Sequence, residues 1–191
     1  CATTLTYFFL ELLSKKIKSK MNIKDYLIYA LLATVCDVMP LRKLNRLISI
    51  NAIKEFNITK NYAFNELYNL NNKKNKININ DLGYLIGPIL NAGGRLGKSN
   101  YATELLSTQD LNIVNERAIE LIELNRKRKE IETVILNEID FDKIENDNKD
   151  VIIYYNPNIN EGLIGIIAAR LKDYFNKPSI VITNSNKLLK G

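Results

Sequence analysis

The chain has 191 residues, with 27 Lys and Arg against 21 Asp and Glu, a formal charge of +6, two cysteines and no histidine. This length allows one or two domains with a real hydrophobic core, and the basic balance favours an acidic partner such as nucleic acid. With no histidine, and with Cys1 and Cys36 in no metal-ligand spacing, a zinc site and imidazole acid–base chemistry are excluded within these residues, and a reducing, cytoplasmic setting fits.

Residues 3–18 carry Leu5, Phe8, Phe9, Leu12, Leu13 and Ile17 at the spacing of one helical face and read as a packing helix. The apolar run 5–13 is interrupted by Glu11 and followed by four lysines, so it is too short and broken to span a membrane. It also lacks the charged region that precedes a signal peptide's apolar core. Opening on Cys1, the chain is expected to be a soluble segment of a longer protein. The helical pattern repeats over 23–34 and runs into Ala-Thr-Val-Cys-Asp-Val-Met-Pro-Leu at 33–41, where Pro40 should stop it. Asp37 stands in that apolar stretch. An unpartnered carboxylate is costly to bury, so it should meet a metal ion, a backbone cap or an arginine such as Arg46.

A further helical pattern covers 41–64 (Leu44, Leu47, Ile48, Ala52, Ile53, Phe56), and the polar stretch 71–76 reads as a solvated loop. Asp81 is the expected N-cap of a helix over 82–90. That helix delivers Gly-Pro-Ile-Leu-Asn-Ala-Gly-Gly-Arg-Leu-Gly at 87–97, four glycines, a proline and an arginine in eleven residues. Adjacent glycines permit positive φ and close approach, so successive N–H groups can converge on one oxyanion while Arg95 adds a charged fork. Phosphate binding is one reading, and a tight turn with an exposed arginine is the other. A helix-like segment follows at 101–106.

Residues 109–139 form the longest regular pattern, with Leu111, Val114, Ala118, Leu121, Leu124, Ile131, Val134 and Ile135 near one face, Asp110 as N-cap and no Gly or Pro inside. Fully helical, it would run about 45 Å, which suggests a connector between two lobes. The basic run 125–129 in its middle reads as a solvated face or a nucleic-acid contact. After a polar stretch at 145–150 the period changes. Two β-branched runs, 151–155 and 179–183, flank a helical segment at 161–175, a βαβ unit with parallel strands. Gly162 and Gly165 let the start of that helix lie close to a strand or ligand.

Four blocks add up to a family. The stretch 33–41 with Asn45 and Arg46, the stretch 87–97, Glu-Leu-Asn-Arg-Lys-Arg at 123–128 and Glu-Gly-Leu-Ile-Gly-Ile-Ile-Ala-Ala-Arg-Leu at 161–171 occur in the order and spacing of the RecJ family. These single-stranded-DNA-specific exonucleases belong to the DHH phosphoesterase superfamily, and the resemblance covers essentially the full chain. It implies an α/β, two-lobed DHH phosphoesterase fold, present in part. Residues 1–108 would be the C-terminal part of the DHH domain, 109–139 the connecting helix and 140–191 the truncated N-terminal part of the DHHA1 domain, with the substrate cleft between the lobes.

The same resemblance implies a metal-dependent exonuclease of DNA repair and recombination. It would use two Mn²⁺ or Mg²⁺ ions and degrade single-stranded DNA from the 5′ end to mononucleotides. Single-stranded DNA, a single-strand-binding protein and a helicase are the implied partners, with no membrane. Asp37 matches the last of the family's metal ligands and would be catalytic. Asn91, Gly93, Gly94 and Arg95 would grip a substrate phosphate, and Asn160, Glu161, Gly162 and Arg170 would face the cleft.

This sequence departs from the family in three ways. The other metal ligands, including the Asp-His-His triplet, are absent, so the segment alone should be inactive. Ile89 stands where the family carries arginine, and Asn160 where it carries histidine. The family's Ser- and Arg-containing phosphate-binding segment and OB-fold also lie beyond Gly191. Two rival readings are a DHH phosphodiesterase of short oligonucleotides or cyclic dinucleotides, and a non-catalytic DHH-fold DNA-binding scaffold.

Overall fold

The computed structural model describes residues 1–74, 76–147 and 149–191. Asn75 and Asn148, in the two polar stretches expected as loops, lie outside the described residues. The described residues form a mixed α/β fold, helical as far as Asn146 and containing a small sheet beyond it. They divide into two compact units, Cys1–Ile89 with Leu105–Ala118, and Leu90–Glu104 with Ile119–Gly191.

The first unit is built around α2 (Leu27–Cys36), a helix apolar on nearly every side and therefore the central one. It packs against α1 (Ala2–Lys16) and α3 (Lys43–Glu55). Ile28 and Leu31 of α2 are buried, as are Ile48 and Ala52 of α3. Phe64 on α4 (Tyr62–Leu70) is fully buried, with the rings of Tyr29 and Phe56 edge-on at 5.9 and 5.4 Å. The pattern at 23–34 divides into a 3₁₀ turn, Ile23–Tyr26, and α2. The pattern at 41–64 also divides, because two asparagines break it. Asn57 Oδ1 accepts from Thr59 N, and Asn61 Oδ1 caps α4 by accepting from Phe64 N at 3.1 Å.

The helix expected at 3–18 forms, but its apolar face is not the packed one. Leu5, Phe9, Leu12 and Ile17 are exposed, and Thr4 is the buried residue of α1. The Thr4 hydroxyl meets that of Thr34 on α2 at 3.5 Å, so small polar side chains rather than leucines mark the contact.

The expected N-cap at Asp81 also differs. Asn78 Oδ1 accepts from Asp81 N at 2.9 Å and caps the short helix α5 (Ile79–Asp81). Asp81 is instead buried, and its carboxylate accepts from Tyr68 Oη at 2.7 Å and from Lys73 Nζ at 2.9 Å. A π-helical turn, Leu82–Ile86, leads into α6 (Gly87–Arg95). Pro88 has no N–H for the carbonyl four residues back and its ring crowds that carbonyl. The wider turn, in which Gly87 N–H bonds Leu82 O, accommodates it.

α7 (Tyr101–Ser107) is followed by α8 (Leu111–Glu138), 28 residues and about 42 Å long, whose residues fall in both units. Asp110 is its cap as expected, accepting from Asn112 N at 2.8 Å. Buried positions on α8 are Val114, Ala118, Leu121, Asn125, Glu132 and Ile135, while Leu111 and Val134, expected on that face, are exposed. The chain then forms α9 (Phe141–Asn146), capped by Asp140, which the sequence pattern does not signal.

The βαβ unit is present. β1 (Ile152–Tyr155) pairs in parallel with β2 (Ser179–Ser185), with Ile152 opposite Ser179, and α10 (Ile164–Phe175) connects them. β3 (Leu188–Lys190), not foreseen, adds antiparallel to β2, giving the order β1-β2-β3. Leu163, Ile167 and Leu171 pack with Ile135, Ile152 and Val181 into one core.

Candidate functional site

Eight of the nine residues singled out from sequence lie in the second unit, and Asp37 lies in the first. The glycine-rich stretch is not a loop. Gly93 and Gly94 are helical residues of α6, and among these glycines only Gly97 has positive φ, +81°. Asn91, Gly94 and Arg95, spaced by three and four, share one face of α6. Asn91 and Gly94 are exposed and Arg95 is half-buried, whereas Gly93 is buried. A Cβ on Gly93 would stand 2.6 Å from Lys98 O, so this glycine serves close packing. Converging glycine N–H groups are therefore not what the fold offers to an anion.

Arg95 Nη1 donates to Gly162 O at 3.0 Å. Asn160 closes the turn before α10: its Oδ1 accepts from Gly162 N at 2.8 Å and its backbone O accepts from Leu163 N at 2.9 Å. This turn explains why the helix expected from 161 begins at Ile164. Thr183 Oγ1 donates to Ile159 O at 2.6 Å and anchors the same loop to β2. Glu161 is exposed, hydrogen-bonded to Ser185 Oγ and paired with Lys190 Nζ at 3.2 Å. The Ser185 hydroxyl and the Lys190 ammonium hold its carboxyl below the usual carboxylate range.

Arg170 on α10 donates from Nε to Glu132 Oε1 at 2.7 Å, and Arg128 donates from Nη1 to Glu132 Oε2 at 2.8 Å. Sequence reading missed Glu132, Ser185 and Lys190. For Glu132 the signal lies in the spacing: 121, 125, 128, 132 and 135 follow steps of four and three along one stripe of α8. Arg128 belongs to that stripe, so the basic run 125–129 is not uniformly a solvated face. Arg126, on the exposed side, is bound by Glu123 and Glu130.

Asp37 is exposed, which corrects the expectation of a buried carboxylate. α2 ends at Cys36, and the chain reverses at once. Val38 N donates to Val35 O and Met39 N to Thr34 O, both at 3.0 Å, with Val38 at φ +52°. This is a Schellman ending with valine where glycine is usual, and it puts the apolar residues after Asp37 at the surface. Neither Arg46 nor any other described side chain bonds the Asp37 carboxylate. Beside it, burial pushes the Cys36 thiol up, and the charge of Asp37 adds to that. Among the described residues no three His, Cys, Asp or Glu side chains stand close enough to share a metal ion. Asp37 offers one hard oxygen ligand, and the residues present do not by themselves fit a Mn²⁺ or Mg²⁺ site. Among the described residues no helix is long and apolar enough to cross a membrane.

The fold defined by these elements is that of RecJ nuclease structures. Magnesium-bound RecJ from Thermus thermophilus superposes with a TM-score of 0.75 at 23% identity, over 90% of this chain and 27% of that one. An exonuclease RecJ bound to manganese gives 0.77 at 23% identity, over 93% of this chain and 45% of its own. No protein-family model matches the chain.

In sequence the chain is similar to proteins described as single-stranded-DNA-specific exonuclease RecJ. It is 31% identical to the Haemophilus influenzae protein over 91% of this chain, and 31% identical to the Escherichia coli protein over 89%. The Bacillus subtilis protein is 30% identical over 80% of the chain. The chain spans about a third of the length of the first two relatives (32% and 31%) and 20% of the third.

Proposed function

We propose that this chain is part of a metal-dependent 5′→3′ exonuclease that hydrolyses single-stranded DNA to mononucleotides, in DNA repair and recombination, in the cytoplasm. The observation that carries the reading is RecJ homology across 91% of the chain, including the blocks around Asp37, Arg95 and Gly162. In this reading Asp37 is one carboxylate ligand of a site for two Mn²⁺ or Mg²⁺ ions whose other ligands lie outside these residues. Asn91, Gly94 and Arg95 meet a substrate phosphate from one helix face, with Gly93 packed beneath them. The arginine fork is suited to phosphate because its planar donors pair with two oxygens at once. Asn160, Glu161, Gly162 and Arg170 belong to the cleft wall, with Asn160 and Glu161 shaping the turn and the β2–β3 end.

Residues 1–108 and 140–191 are assigned to the DHH and DHHA1 domains, with 109–139 as the connecting helix. By itself the segment lacks most metal ligands and is inactive. A single-strand-binding protein and a helicase are the proposed partners. The test uses protein expressed from the whole reading frame that contains these residues, with Mn²⁺ or Mg²⁺ and end-labelled strands. Label at the 5′ end should leave at once as mononucleotide, label at the 3′ end should stay on a shortening strand, and duplex should be spared. Attack from the 3′ end or faster turnover of dinucleotides would favour the phosphodiesterase reading. Tight strand binding without metal-dependent cleavage would make the protein a DNA-binding scaffold.

A further inference from the structure

We propose that Arg170 is a phosphodiester-binding arginine held ready by the buried carboxylate of Glu132, so that single-stranded DNA contacts the Arg128–Glu132–Arg170 cluster. The ligand class rests on the exonuclease reading above, whereas the site rests on the geometry of α8 and α10.

Glu132 is 6% exposed, and each of its carboxylate oxygens accepts from a different arginine. Both oxygens of this buried carboxylate are thus engaged by guanidinium donors, so neither is left without a partner. One carboxylate against two arginines leaves the cluster with one surplus positive charge. The surplus sits at Arg170. The Arg128 side chain is 12% exposed and uses its Nε on Asn125 Oδ1 at 3.2 Å, whereas the Arg170 side chain is 58% exposed.

The way Arg170 is attached matters more than its charge. An arginine that only neutralises a carboxylate commonly meets it side by side, with two parallel N–H donors. Here the carboxylate is shared, and Arg170 touches it through Nε alone. Both terminal nitrogens of Arg170 have no protein partner among the described residues. The guanidinium is thus fixed at one corner with its fork idle, an arrangement lysine could not reproduce because its donors share one nitrogen. Fixing it before the ligand arrives removes part of the ordering cost of binding. Arg126, two residues before Arg128 on α8, is the contrast. Its donors are taken by Glu123 and Glu130, two acids on one cation, which leaves nothing for an anion.

The experiment measures binding of a fluorescent oligo-dT strand to the whole-reading-frame protein by anisotropy, across a salt series and with chelator present to prevent cleavage. Arg170→Gln should weaken binding about three- to tenfold and reduce the slope of log affinity against log salt by about 0.7, the loss of one phosphate contact on a single strand. A purely structural arginine would lower the melting temperature and leave that slope unchanged, which overturns the proposal. Should Arg170→Gln fail to fold, Arg170→Lys decides. It keeps the charge but loses the fixed fork, so the slope should persist while affinity falls several-fold, and wild-type affinity rejects the site. A wild-type protein that does not bind single strands overturns the exonuclease reading along with this one. Normal wild-type binding with unaltered variants overturns this one alone.

Discussion

The backbone of Arg95 fills the space that a Cβ on Gly162 would need. Such a Cβ would fall inside the envelope of Arg95 O and 2.9 Å from Arg95 Cα, while Arg95 Nη1 donates to Gly162 O at 3.0 Å. A flexible side-chain tip could swing aside, but a backbone carbonyl at a helix end cannot, so the last residue of α6 and the turn before α10 are locked together. Gly162→Ala is therefore expected to destabilise by about 1–3 kcal/mol. Gly94→Ala is the control, because a Cβ there meets nothing within 4 Å and alanine favours the helix by about 0.5–1 kcal/mol. Thermal melting should move the two variants in opposite directions, and equal shifts would contradict the close approach at Gly162.

How far the sequence could be read depended on whether local pattern or tertiary context decided each element. The βαβ unit was legible because the switch from helical spacing to a continuous β-branched and aromatic run at 151–155, bounded by polar residues, has few competing explanations. The blocks around Arg95 and Gly162 were legible for their dense, unusual composition. The conformation of 87–95 was not. Glycine clusters signal turns locally, but here Gly93 is small because Lys98 O and Leu121 press on it, a contact visible only in three dimensions. Asn78 and Asp81 are both good caps three residues apart, and Tyr68 and Lys73 decided between them by claiming the Asp81 carboxylate. Asp37 looked buried because its neighbours are apolar. That inference assumed the helix ran on, and a valine at φ +52° is an ending that no propensity favours.

Asp81 gives a pH dependence of definite sign. Burial alone would raise its carboxyl, but the hydrogen bonds from Tyr68 and Lys73 and the charge of Lys73 more than offset this, and the net shift is downward. A carboxyl depressed in the folded state contributes stability that is complete above its unfolded value, about 4, and is lost as pH falls through the folded value. Burial and Asp81 in turn push the Tyr68 hydroxyl up, so it remains a donor. Tyr68→Phe should cost about 1.5–3 kcal/mol near neutral pH. Urea unfolding at about pH 7 and about pH 3 should show the gap from wild type shrinking in acid, and a gap that stays constant would rule out the coupling.

Val38 is 86% exposed, so its side chain contributes almost no burial, yet it holds a left-handed conformation that β-branched residues resist. Val38→Gly keeps both Schellman hydrogen bonds and removes the strain, partly offset by the greater freedom of glycine in the unfolded chain. The expected gain is about 0.5–1 kcal/mol, read as a rise in melting temperature. A fall would mean that the valine side chain makes contacts beyond those the fold displays.

Asp37→Ala separates a ligand from a structural residue. The carboxylate is exposed and bonds no described side chain, so its removal should change stability by no more than about 0.5 kcal/mol. In protein from the whole reading frame, the same substitution should lower metal-dependent cleavage of single strands by at least about a hundredfold, because a lost carboxylate weakens the hold on the cation that stabilises the reacting phosphate. Strand binding measured with chelator present should be unchanged. The three readouts are diagnostic only together. Lost cleavage with an unchanged melt and unchanged binding assigns the carboxylate to the metal, whereas a lowered melt makes it structural. Retained cleavage removes Asp37 from the site and leaves the exposed end of α2 without the role its position suggests.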